Sequence, residues 1–254
     1  MAWDPDLYLR FARFREQPAL DLLARLEPRT ASLIYDLGCG TGGAARRLAD
    51  GWPQARVIGL DSSAEMLAKA QSGGGRVVWQ QGDAAGAAAI SDADILFSNA
   101  VFNWIADHPR VLPALLARLR PEGQFAFQMP RNYEQPSHTL IADVIAEGSW
   151  AGRLDNHLAR PHVMKPADYY RCLGPHCADL EIWETDYVHR LEGEDPVFVW
   201  LSGTALRPLL GALDPGERPD FETALQAKLR RAYPRGDDGL TLFAMKRLFI
   251  YARR

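Results

Sequence analysis

The stretch Ile34-Tyr35-Asp36-Leu37-Gly38-Cys39-Gly40-Thr41-Gly42-Gly43 decides the fold. An apolar run feeds a glycine-rich turn, and the turn opens a helix. Such a turn needs backbone angles that a side chain obstructs, and glycine also lets a ligand approach the main chain closely. Working outward, apolar runs at 33–37, 56–60, 77–80, 95–99 and 124–128 alternate with helical patterns at 43–50, 64–71 and 110–120. That rhythm predicts βα units around a parallel sheet, and the near-continuous apolar character of each strand predicts that both sheet faces are covered.

Beyond this core the pattern changes. Residues 6–26 read as a helix with Leu20, Leu23 and Leu26 on one face, 136–150 as another, and 151–165 carry no clear period. Strand character returns at 179–191 and 240–251. Helices are expected between them at 196–210 and 217–233, the latter with Asp214 as N-cap and Pro215 at the first helical position. The expectation is an α/β, Rossmann-like, doubly wound, mostly parallel sheet of seven strands, the last antiparallel, with a helical lobe capping the substrate. Residues 1–30 would form a helical lid, 31–150 the nucleotide-binding core, and 151–254 a part completing the sheet, with capping insertions at about 151–165 and 196–233.

With 254 residues, 47% hydrophobic and 24% charged, the chain can bury a full core. A formal charge of -3 and a pI near 6.1 provide no global field for nucleic acid or an anionic membrane, so a small-molecule partner is expected and no obligate protein partner is evident. Cys39, Cys172 and Cys177 are too few and too odd in number for a disulfide framework. The acidic start Met-Ala-Trp-Asp-Pro-Asp lacks the basic and apolar regions of a signal peptide, and no apolar stretch approaches roughly 18 residues. A cytoplasmic protein is the expectation. Cys172, His176 and Cys177 do not have a strong zinc spacing, and no metal is expected.

The glycine loop satisfies two templates. Gly38, Gly40 and Gly42 make G-x-G-x-G, whereas Gly38, Gly40 and Gly43 make the dinucleotide-type G-x-G-x-x-G. Asp36 favours the first, because its carboxylate would repel an anionic pyrophosphate and attract the ammonium and sulfonium of S-adenosylmethionine (SAM). Asp61, ending the second strand, is placed to accept from both ribose hydroxyls, with Ser62 and Met66 following it. Asp83-Ala84 after the third strand is placed for the adenine amino group. Phe97-Ser98-Asn99-Ala100 ends the fourth strand, with Trp104 behind it, where the reactive methyl would lie. An NAD-linked oxidoreductase is the remote alternative, although no Tyr-x-x-x-Lys pair supplies a hydride-transfer apparatus.

Together Asp36 to Gly43, Asp61, Asp83 and Asn99 resemble the ordered motifs of class I SAM-dependent methyltransferases over 33–129. A closer resemblance, nearly end to end, is to the trans-aconitate 2-methyltransferase family. It is carried by Trp3-Asp4-Pro5, Tyr8-Leu9-x-Phe11-Ala12, Arg15 and Pro18; by Gln128-Met129-Pro130 with Asn132, Pro136 and His138; by Trp200, Thr204 and Leu206-Arg207-Pro208; and by Arg247-Leu248-Phe249-Ile250 with Ala252-Arg253-Arg254. Thr41 replaces the family's usual proline. The resemblance implies methyl transfer from SAM to one carboxylate of trans-aconitate, or of another small-molecule acid. In related methyltransferases an N-terminal segment closes over the methionine end of SAM, which assigns Tyr8 and Arg15 to the cofactor.

A carboxylic acid of pKa about 4 is ionised at pH 7, so its oxygen attacks without a general base and no catalytic acid or base is expected. The enzyme must align the reacting atoms and hold the remaining carboxylates, a task suited to arginine. The preferred substrate set is Arg207, on a helix with Trp200 and Thr204, plus His138 and Tyr133 after the fifth strand.

Overall fold

The computed structural model describes residues 12–154 and 162–254, with side chains from Glu16 onward. Seven strands form one sheet in the order β3-β2-β1-β4-β5-β7-β6: β1 (Leu33–Leu37), β2 (Arg56–Asp61), β3 (Val78–Gln81), β4 (Ala93–Asn99), β5 (Leu119–Pro130), β6 (Asp179–Leu191) and β7 (Thr241–Arg253). The β1–β2, β1–β4, β2–β3 and β4–β5 pairs are parallel, and β5–β7 is antiparallel from Gln124↔Arg253 to Pro130↔Arg247. The doubly wound sheet with an antiparallel last strand is therefore as expected. Strand order reverses between β1 and β4, the point at which sheets of this kind open a crevice beyond their carboxyl ends.

The helices start where the sequence supplies a reason. α2 (Gly43–Gly51) follows the left-handed N-cap Gly42, φ 81°. In α3 (Ala64–Ser72) the Ser63 hydroxyl accepts the Met66 N–H at 3.3 Å, and Glu65 pairs with Lys69 one turn later at 2.7 Å. The other helices are α1 (Ala12–Arg25), α4 (His108–Leu116), α5 (Pro136–Glu147), α6 (Ala151–Leu154), α7 (Pro166–Leu173), α8 (Pro196–Ser202), α9 (Arg207–Ala212) and α10 (Arg218–Ala232).

The chain divides into two compact units. One comprises Glu16–Pro130, His162–Thr185 and Arg247–Arg254. Its core packs one face of the sheet against α4 and α7 through an aromatic cluster, with Phe102 5.1 Å from Phe127 and Phe125 4.8 Å from Phe127 between ring centroids. The other includes the described residues 131–154 and 186–246. There Trp150 meets Phe221 edge-on at 5.4 Å, and Trp200 meets Phe243 at 5.7 Å.

Four expectations need correction, and proline explains two of them. The helix expected at 196–210 is two helices, α8 and α9, interrupted by 203–206. Pro208 has no N–H to give and would clash mid-helix, so the chain restarts with Pro208 in the first turn. Likewise α10 begins at Arg218 with Pro219 in its first turn, whereas Asp214 heads a separate turn whose carbonyl accepts from Glu217 and Arg218 at 3.0 and 3.2 Å. The helix expected at 110–120 spans His108–Leu116. The following residues join β5, since the Ala93 N–H bonds the Arg118 carbonyl at 3.0 Å and Ala93 is opposite Leu119. Lastly, α7 has no counterpart among the helices expected from the sequence. Its apolar contacts, Tyr169 and Leu173, are too short a pattern to stand out, yet both are fully buried.

Candidate active site

The glycine loop is tied to the neighbouring strand. Both Gly38 and Cys39 donate their N–H to the Leu60 carbonyl, at 2.7 and 2.9 Å, and Gly42 donates to the Cys39 carbonyl at 2.9 Å. The Gly40 N–H is taken by Asp61 Oδ2 at 2.8 Å, while Asp61 Oδ1 accepts from Ser63 N–H at 2.9 Å. Gly38 has φ +72°, and a Cβ there would meet Val101 at 2.3 Å. Gly40, φ +54°, differs: a Cβ there would meet nothing within 4 Å, which is open space beside the main chain.

Asp36 is buried at 1% exposure. Burial, opposed by a hydrogen bond from the Ala45 N–H and reinforced by the Asp61 charge, pushes its carboxyl up from 3.8 to about 7. Its second oxygen, Oδ2, is buried and has no hydrogen-bond partner in the protein. A buried acceptor left in this state costs about 1–3 kcal/mol, and a cationic donor would satisfy it. Burial, with the charges of Asp36 and Asp61, pushes the Cys39 thiol up to about 12, which disfavours the reactive thiolate.

Two supporting residues were not anticipated. The Trp79 ring lies against the loop so closely that a Cβ on Gly42 would sit 2.2 Å from it, and one on Gly59 2.5 Å. Arg46 lies over that ring, 5.8 Å from its centroid, and donates to the Thr41 and Ala70 carbonyls at 2.7 and 3.2 Å. No local pattern marks either residue, because the contact joins positions 33 apart in the chain.

At the end of β4, Ser98 Oγ donates to the Leu37 carbonyl at 2.8 Å, and the chain turns sharply at Ala100, φ +59°, an unusual angle for a residue with a side chain. The Asn99 Oδ1 accepts from Gln128 Nε2. Asn103 bridges the turn, donating to the Ala100 carbonyl at 3.1 Å and accepting from Trp104 Nε1 at 3.0 Å in the amide orientation that satisfies both. Trp104 is 74% exposed. Asp83 is exposed with Oδ1 accepting the Ala85 N–H at 2.9 Å, Ala84 is buried, and Ser62 and Met66 are exposed. Thus Asp36, Gly38, Gly40, Asp61, Ser62, Met66, Asp83, Ala84, Asn99 and Trp104 all fall at or just after the carboxyl ends of β1 to β4. Tyr8 is outside the described residues, and Arg15 is on α1 with its side chain outside them.

The substrate candidates belong to the other unit. The Tyr133 ring meets His138 edge-on at 5.2 Å, and His138 Nδ1 is 3.0 Å from Ser137 Oγ. Burial holds the imidazole down at about 4, so His138 is neutral at pH 7. Trp200 is 3% exposed and stacks on His189 at 5.3 Å, a core position. Thr204 and Arg207 are exposed, with Thr204 Oγ1 within 3.3 Å of the Trp200 carbonyl and Arg207 heading α9. Among the described residues, no group of three or more His, Cys, Asp or Glu could hold a metal ion, and no helix is long and apolar enough to cross a membrane.

Comparison with known proteins agrees with this geometry. A family model described as a methyltransferase domain matches residues 34–123. Among solved structures, the YcgJ protein from Bacillus subtilis shares the fold with a TM-score of 0.62 at 17% identity, covering 94% of this chain and 98% of that one. The fold is thus Rossmann-like, and the matched methyltransferase model covers its glycine loop and the strands around it. Trans-aconitate 2-methyltransferase of Azoarcus sp. (strain BH72) is 44% identical over 252 residues, covering 99% of each chain. That of Streptomyces avermitilis is 40% identical over 262 residues, covering 100% of this chain and 97% of that one. The chain belongs to the trans-aconitate 2-methyltransferase family.

Proposed function

We propose that this protein transfers a methyl group from SAM to a carboxylate of trans-aconitate, or of a closely related small polycarboxylate, forming the monomethyl ester and S-adenosylhomocysteine. The observation that carries the cofactor half is Asp36: a buried carboxylate with one unpartnered oxygen, beside a loop whose amides at 38, 39, 40 and 42 already donate within the protein. Phosphate oxygens would need those donors, whereas an ammonium group needs the acceptor. The family relationship carries the substrate half.

When bound, SAM supplies a methyl group activated by its positive sulfonium. The chain's own part is binding and alignment. Asp36 would hold the methionine ammonium. Asp61 uses one lone pair of each oxygen for a backbone amide, and the remaining pairs can take the ribose hydroxyls. Gly38 and Gly40 would admit the ligand to the main chain, Ser62 and Met66 would flank the ribose, and Asp83 with Ala84 would border the adenine. Asn99 and Trp104 would border the methionine end, as would Tyr8 and Arg15. For the substrate we assign Arg207, Thr204, His138 and Tyr133 as polar contacts, with Trp200 as the buried aromatic that steadies its helix. His138, being neutral, would act as a hydrogen-bond donor and not as a cation.

A net charge of -3 supports a small-molecule substrate over nucleic acid or an anionic membrane. Three free cysteines are consistent with a cytoplasmic setting. Calorimetric titration with S-adenosylhomocysteine and with NAD tests the cofactor, and tight NAD binding without a response to S-adenosylhomocysteine would overturn it. A radiolabelled-methyl assay across trans-aconitate, cis-aconitate, citrate and isocitrate tests the substrate. Absence of transfer to trans-aconitate by folded protein would remove that assignment.

A further inference from the structure

Gln128 is 1% exposed, at the end of β5 and directly opposite Asn99 of β4 in the sheet register. Its side chain does something unusual for a buried amide. Nε2 donates to Asn99 Oδ1, while Oε1 is buried without a hydrogen-bond partner. A side chain selected for stability alone would not keep an unsatisfied acceptor in a strand interior, where an apolar group of the same shape is free of that penalty.

The effect of the arrangement falls on Asn99. An amide can present either oxygen or nitrogen, and in this arrangement the Gln128 donor occupies Oδ1. What Asn99 offers to a bound molecule is then its Nδ2 donor pair. The surrounding bonds fix the backbone that carries Asn99. The Ala100 N–H bonds the Gln128 carbonyl at 2.9 Å, Ala100 has φ +59°, and Ser98 Oγ is tied to the Leu37 carbonyl on the other side. The end of β4 is thus pinned to both β1 and β5, leaving one donor whose polarity is set by a residue behind it.

We infer that Gln128 is a positioning residue that locks Asn99 as a hydrogen-bond donor for a carboxylate bound at the end of β4. Two molecules of the proposed reaction carry a carboxylate, the methionine moiety of the cofactor and the polycarboxylate substrate. The inference rests on the methyltransferase reading, and the experiment separates the two sources.

The variants are Gln128→Met, which keeps the bulk and removes both polar atoms, Asn99→Ala, and the pair combined. Each is titrated calorimetrically, without turnover, with S-adenosylhomocysteine and with 5′-methylthioadenosine, which lacks the amino-acid carboxylate, and then assayed for the KM of trans-aconitate. Gln128→Met should leave the melting temperature unchanged or raise it, because the unsatisfied acceptor goes with the donor. It should weaken one carboxylate ligand roughly tenfold, with a larger loss in Asn99→Ala and no further loss in the double variant. Weakened S-adenosylhomocysteine with unchanged methylthioadenosine identifies the cofactor carboxylate. A raised KM with both nucleosides unaffected identifies the substrate. Because the titrations need no turnover, wild-type protein that binds S-adenosylhomocysteine but does not methylate trans-aconitate fails the substrate reading alone.

Unchanged affinities and KM in folded Gln128→Met, or a loss that adds in full to that of Asn99→Ala, overturn the inference. Should Gln128→Met not fold, Asn99→Asp keeps the acceptor for Gln128 and replaces the outward donor with an oxygen. It should lose the same ligand at least tenfold, and unaltered binding and KM there overturn the inference equally.

Discussion

His108 Nδ1 and the Tyr169 hydroxyl lie 2.7 Å apart in the core of the unit that carries the glycine loop. The tautomer follows from the other ring nitrogen, because Nε2 is 2.8 Å from the Phe102 carbonyl and must donate to it. Nδ1 therefore accepts from Tyr169. Sixty-one residues apart in sequence, the two side chains join α4 to α7 inside a largely apolar cluster.

Tyr169→Phe should leave a buried imidazole nitrogen without a donor and lower stability by about 1–3 kcal/mol in denaturant unfolding. Burial holds His108 below its usual value of 6.5, so the folded state resists the proton that the unfolded state accepts. The corresponding stability is present above pH 6.5 and is lost as pH falls below it. Unfolding curves that are flat between pH 7.5 and 5.5, or a Tyr169→Phe variant as stable as wild type, contradict this account.

Asp36→Asn should separate stability from binding. The carboxyl is raised from 3.8 to about 7, so the folded protein holds a proton that the unfolded chain releases, and stability contributed by Asp36 declines as pH rises through that window. The variant should consequently melt at or above the wild-type temperature at pH 8, yet bind S-adenosylhomocysteine at least tenfold more weakly. Wild-type affinity should itself rise with pH through about 7 as the carboxylate ionises. Scanning fluorimetry and calorimetry between pH 6 and 8 measure both, and undiminished binding by the variant would falsify the role given to this residue.

Gly38→Ala and Gly40→Ala should fail in different ways. Both impose left-handed angles on alanine, a strain of about 1–2 kcal/mol. At Gly38 the added methyl also strikes Val101 at 2.3 Å, so folding suffers. At Gly40 it enters open space, so the variant should stay folded and lose cofactor affinity, since that space is where the ligand would approach. A folded Gly40→Ala protein with wild-type S-adenosylhomocysteine affinity would show that the cradle lies elsewhere.

Arg207→Ala and Trp200→Ala provide a further contrast. Arg207 is exposed, and its loss should raise the substrate KM at least tenfold with S-adenosylhomocysteine affinity nearly unchanged. Trp200 is packed against His189 and Phe243, and truncating it should cost about 3–5 kcal/mol of stability. A normal KM in Arg207→Ala would end its candidacy.

The candidate residues from Asp36 to Trp104 were found in the sequence because they fall at or just after strand ends, which are marked locally by apolar runs stopping at Gly or Asp. The Gly40 N–H is bonded to Asp61, whose charge in turn acts on Asp36, but each of the three is found from its own neighbourhood. Arg46, Trp79 and Gln128 were not legible. Each acts on a residue at least five positions away through a side chain that no spacing rule distinguishes from ordinary surface or core.

By itself the sequence determined the alternation of strands and helices and the glycine turn that heads the first strand, because hydrophobic period and glycine placement are local properties that survive in a linear string, whereas the strand order belongs to the tertiary structure. Tertiary structure alone decided which polar atoms are satisfied. Asp36 is half-paired, His138 is neutral, Asn99 is fixed by Gln128 and Trp200 lies in the core, all consequences of burial and of contacts between residues distant in the chain. The free energy of a polar group depends on what surrounds it after folding, and a sequence records the group without its surroundings.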